Sequence, residues 1–119
     1  MARGAEDGEG AKKAPEVFTL LVEVGRKEGD GLPESATGGA LMCLAPGRDE
    51  AEAVRETVKL LETAGLAPLH VSSYGSRAER EAEGHDISPE EAALMERALR
   101  ENAVIVLQTT LFHDENGES

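Results

Sequence analysis

The residue types able to do covalent or acid–base chemistry are few in this chain and scattered: one cysteine, three histidines and one tyrosine. Cys43 lies between Met42 and Leu44 in the apolar run Ala40–Ala45 (ALMCLA). There a thiol acts as a small hydrophobe, whereas a nucleophile needs exposure and a nearby base. His70, His85 and His113 are far apart, and none falls in a His-Glu-x-x-His or cysteine-rich zinc spacing. Gly84-His85-Asp86 and His113-Asp114-Glu115 set carboxylates beside imidazoles, but sequence neighbours rarely ligate one ion. No metal and no cofactor is expected.

Gly38 and Gly39 raise the question of a phosphate loop. A dinucleotide loop places G-x-G-x-x-G after a strand and opens a helix toward the phosphate. Here the glycines precede the apolar run, and the next helix opens with Asp49 and Glu50, whose charge repels phosphate. The pair therefore reads as a bend or a bulge. Charged residues at helical spacing, Glu52 with Glu56 and Arg97 with Glu101, decorate solvent faces. A glycosidase-type pair would need one carboxyl with a raised pKa in a cleft, and no pair stands apart in that way.

The elements that must carry these residues follow from composition and period. The chain has 119 residues, enough for one domain and too few for two ordinary cores. Aromatic residues are only 3% of it, so the core must be aliphatic. The net charge of −12, with no cluster of lysines and arginines, disfavours nucleic acid and anionic membranes as partners. A single cysteine excludes an internal disulfide. Met1–Pro15 has no apolar signal segment, and no run approaches the roughly 20 apolar residues of a membrane span. These features give a cytoplasmic reading, with disordered tails at 1–15 and 114–119 flanking a single domain over 16–113.

Glu16–Gly25 alternates as a strand, with Phe18, Leu20, Val22 and Val24 on one face and Val17, Thr19, Leu21 and Glu23 on the other. Arg26–Gly39 reads as a long loop, Ala40–Ala45 as a strand buried on both faces, and Pro46-Gly47 as a turn. Asp49 and Glu52 open a helix with Ala51, Val54, Val58 and Leu61 at helical spacing, and Gly65 ends it. Leu66–Gly75 is a strand with His70, Ser72 and Tyr74 on one face, and Ser76–Asp86 is a loop or at most a frayed helical turn. Ser88, Pro89 and Glu91 start a second helix with Ala92, Met95 and Leu99 inward, and Ala103–Phe112 closes the fold as a strand.

The order strand, strand, helix, strand, helix, strand predicts an α+β two-layer sandwich: a four-stranded sheet with both helices packed on one face. In broad architecture this resembles ferredoxin-like and ACT-like domains, with the Arg26–Gly39 loop where their first helix stands. The sheet face away from the helices would then show Leu21, Glu23, His70, Tyr74, Gln108 and Phe112, a candidate binding or dimer face, with Val17 and Val106 extending the patch. The reading is a non-enzymatic binding module, dimeric through that face, with a protein partner or small-molecule ligand in view. Two alternatives stand beside it. One is a small dimeric enzyme with a pocket near His70 and Tyr74, where Glu23 would orient them. The other is an acidic inhibitor or immunity-type protein held by a basic partner.

Overall fold

A computed structural model describes residues 14–113; the expected tails lie outside the described residues, save Ala14 and Pro15. The elements are β1 (Glu16–Val24), β2 (Ala36–Gly47), α1 (Glu50–Thr63), β3 (Pro68–Ser76), α2 (Arg77–Ala82), α3 (Pro89–Glu101) and β4 (Ile105–His113). The four strands form one sheet in the order β3-β1-β2-β4, every neighbouring pair antiparallel. The α+β fold with a four-stranded sheet and helices is thus as the sequence indicates.

Local chemistry explains the boundaries. Asp49 caps α1 by accepting from the Glu52 N–H at 2.8 Å, and Gly65 follows the helix at φ +93°. Ser88 caps α3 by accepting from the Glu91 N–H at 3.0 Å, with Pro89 in its first turn. α2 falls in the stretch that reads as a loop or at most a frayed helical turn, and it is the helical alternative. It has no buried residue and hence no apolar period, but Ser76 and Glu79 form a reciprocal capping box. β2 runs well beyond Ala40–Ala45. Pro46 fits within it because pairing with β4 ends at Leu44, so that stretch has a neighbour on one side only. Gly38 is needed at the other end, where a Cβ would lie 2.5 Å from the Val24 carbonyl oxygen.

The packing departs from the expected sandwich. Phe18, Leu20, Val22 and Val24 of β1 join Leu41, Cys43 and Ala45 of β2 against Ala53 and Leu61 of α1. Val17 and Leu44, which alternation places on the opposite side, pack against Met95 and Ala98 of α3. The helices therefore lie on opposite faces, and the two-layer, ferredoxin-like or ACT-like arrangement is corrected to three layers. The cause is visible in β1 and β2, whose apolar residues occupy both parities: a sheet apolar on both sides must be covered on both.

Coverage of the second face is partial. α3 caps the end marked by Val17 and Leu44, with Leu94, Ile105 and Leu107 around them. Val17, expected in an exposed patch, is buried there, and Val106 pairs with Cys43 and so belongs to the α1 side. Within α1 the buried line is Ala53, Thr57 and Leu61, and the Thr57 hydroxyl finds no hydrogen-bond partner. An unpaired buried hydroxyl is unfavourable, whereas a methyl of the same shape is not. In urea unfolding, Thr57→Val should raise stability by about 1 kcal/mol, and Leu44→Ala should lower it by about 2–5 kcal/mol; a destabilised Thr57→Val would show a missing hydroxyl partner.

Candidate functional site

The sheet register brings all six candidate residues to one face. Leu21 and Glu23 of β1 oppose Ser72 and His70 of β3, while Gln108 and Phe112 of β4 oppose Met42 and Gly38 of β2. These lie on the parity of Val17 and Leu44, the α3 side, so the candidate face is not the one opposite both helices; it is the uncovered half of the α3 face. Leu21 and Met42 are half-buried, and Tyr74 and Phe112 are 44% and 40% exposed. Glu23 is the sole carboxylate that the strands set on this face, and it stands across from His70.

Tyr74 is separated from His70. It is the extra residue of a β-bulge, because Thr19 pairs with Gly75 and Leu20 with Ser73. Gly75, at φ +98°, makes that geometry accessible. The bulge aims Tyr74 into a cleft of about 530 Å³ between the sheet and the α2–α3 corner, lined also by Met42, Leu94, Leu107, Arg80 and Glu91. His85 lines this cleft and His70 does not. Four residues of strand set His70 about 13 Å from Tyr74. Within one chain, the cleft at Tyr74 is thus shared with His85 and not with His70.

The polar end of the cleft was missed from sequence. The Arg80 guanidinium donates through Nη1 to Glu91 Oε2 at 2.7 Å and to Thr19 Oγ1 at 3.0 Å, and both charged side chains are largely covered. Glu91 holds the position from which a capping-box residue reaches back to its N-cap. Its carboxylate turns to Arg80 instead, tying α3 to α2 and, through Thr19, to β1. The signal was present as a Ser-x-x-Glu motif, but local reasoning satisfies that motif locally.

Residues 17–113 match the protein family described as a domain of unknown function, DUF8846. The chain belongs to this family. No curated protein and no solved structure matches the chain, so the chemistry of this DUF8846 domain has to be read from its own residues.

The β1–β2 loop, a second candidate surface, is internally fastened. Asp30 accepts from the Lys27 and Leu32 N–H groups and from the Arg26 guanidinium, which also donates to the Leu32, Pro33 and Ala36 carbonyls. Hydrogen bonding from Arg26, then from the two backbone amides, holds the Asp30 carboxyl down at about 2. At the start of α1, Arg48 likewise holds Glu52 at about 2 through its guanidinium and its backbone N–H. Cys43 is fully buried, and burial pushes its thiol up to about 11, so this cysteine is a core residue. Among the described residues no three or more His, Cys, Asp or Glu gather as a metal site.

Two outcomes follow. Asp30 has its carboxyl depressed from about 3.9 in the unfolded chain, so its contribution is complete above about pH 4 and is lost as pH falls toward 2. Asp30→Asn should be less stable than wild type at pH 7, with the gap closing between pH 4 and 2; a pH-independent gap would refute this pinning. Arg80→Met should lower stability by about 1–3 kcal/mol, because it strands the covered Glu91 carboxylate, and Arg80→Met/Glu91→Met should recover part of the loss.

Proposed function

We propose that the protein is a non-enzymatic binding and interaction module that works as a homodimer, with the uncovered half of the α3 face in its contact surface. The observation that carries this reading is the charge pattern. In a chain of net charge −12, this face offers Leu21, Met42, Ser72, Tyr74, Gln108, Thr110 and Phe112, with Glu23, facing His70, as the one carboxylate its strands supply and Glu90 and Glu91 at its cleft, Glu91 paired with Arg80. Two polyanions meet with least repulsion on such a surface, and exposed aromatic and thioether side chains are the types enriched in contact surfaces. Among the described residues no helix is long and apolar enough to cross a membrane, and a buried free thiol suits the reducing cytoplasm of this reading.

The cleft beside Tyr74 favours a second, compatible role in holding a small ligand. Its apolar walls of Met42, Leu94 and Leu107 meet a pre-oriented arginine at one end, the usual composition of a ligand site. Nothing in that arrangement pairs a nucleophile with a base, which is why the binding reading stands ahead of the enzymatic one. An acidic inhibitor would engage its basic target through charged surface, and the strands of this face supply a single carboxylate, Glu23. Light scattering over a concentration series should show a dimer whose dissociation constant rises at least tenfold in Tyr74→Ala/Phe112→Ala, with the circular dichroism spectrum retained. An unchanged dissociation constant would remove the face from the contact surface.

A further inference from the structure

The two edges of the sheet are not equivalent, and the difference selects how two copies can meet. β3, one edge, carries two bulged residues: Tyr74, and Leu69 between Pro68 paired with Val24 and His70 paired with Glu23. It also begins at Pro68 and contains Gly75 at φ +98°. Bulges and proline are the devices by which edge strands resist further pairing. β4, the other edge, has its single bulge at Leu107, and from Gln108 to His113 no residue of the strand is extra. From Ile105 to Phe112 it reads IVLQTTLF, without charge, proline or glycine. Gln108, Thr109, Thr110 and Phe112 are exposed. Uncharged, rich in β-formers and with no extra residue of its own, although β2 carries one at Thr37 opposite its end, this stretch is the kind of edge that pairs with another strand.

We propose that two copies of this chain join along β4, antiparallel about a two-fold axis, to make one continuous eight-stranded sheet with the β3 edges outermost. The inference rests on the self-association of the reading above and specifies its seat. A second copy is the occupant for three reasons. An antiparallel pair of identical strands is its own complement, so one edge suffices for a closed two-fold contact. The stretch brings no charge against its twin, which matters when each chain carries −12. The blunted β3 edge then stops growth at two copies, where a sheet with two bare edges would form a filament. In this arrangement Phe112 lies beside the junction and Tyr74, on the far strand, does not. The uncovered halves of the α3 faces merge into one doubled surface.

Amide hydrogen exchange on the full chain at low and high concentration tests this directly, with light scattering on the same samples. Alternate amides of Gln108–His113, those turned away from β2, should gain at least tenfold protection as the dimer fills. Thr109→Glu/Thr110→Glu, on exposed positions of both faces, should raise the dissociation constant at least tenfold, and so should Thr109→Glu alone, which lies on the α1 side of the edge. A dimer without new β4 protection, or one that Thr109→Glu leaves as tight as wild type, would overturn edge pairing and leave face-to-face association standing. A chain that stays monomeric at the highest concentration would overturn both.

Discussion

The antiparallel pairing of β1 with β2 is the constraint from which the rest follows. Its register runs unbroken from Glu16 opposite Gly47 to Val24 opposite Gly39, and both strands are apolar on both parities. Such a pair cannot leave either side in water, so it calls for a helix on each. α1 answers one side with Ala53 and Leu61, and α3 answers the other with Met95 and Ala98. α3 is shorter in reach than the face it covers. The remainder of that face, from Leu21 and Met42 to Phe112, is what the fold leaves available to anything else.

The same pairing sets the edges. With β1 and β2 central, β3 and β4 take the margins, and their unlike treatment gives the molecule a polarity across the sheet. The β3 margin is broken by bulges, one of which aims Tyr74 into the cleft that Arg80 and Glu91 close. The β4 margin has one bulge, at Leu107, and no extra residue from Gln108 to His113. The ligand-sized concavity reaches across the sheet from Tyr74 of β3 to Leu107 of β4, while the uncharged stretch from Gln108 onward belongs to the β4 edge alone.

Much of this was legible in the residues, and what was not has physical reasons. Helix starts at Asp49 and Ser88 were readable because their caps are local, and the face shared by Leu21, Glu23, His70, Tyr74, Gln108 and Phe112 survived two bulges that happened to preserve its parity. The layer count was misjudged although Ala40–Ala45 itself read as buried on both faces. Counting two helices against one sheet suggested the simpler sandwich, and the apolar residues of the mixed β1 face, Val17 and Leu21, were given to a partner when α3 of the same chain covers Val17. α2 reads as no more than a frayed helical turn because it has a capping box and no buried stripe. The Arg80–Glu91–Thr19 group spans β1, α2 and α3, and only the folded chain brings it together.

The central claim is that the α3 face is half covered and half open. Methyl and aromatic proton relaxation in the presence of a soluble, uncharged paramagnetic chelate, on dilute protein, measures it most directly. The account predicts strong enhancement at Tyr74 and Phe112, intermediate enhancement at Leu21 and Met42, and almost none at Val17, Leu44 and Met95. Equal enhancement along the whole face would mean that α3 does not pack there, and equal protection would mean that no open half exists.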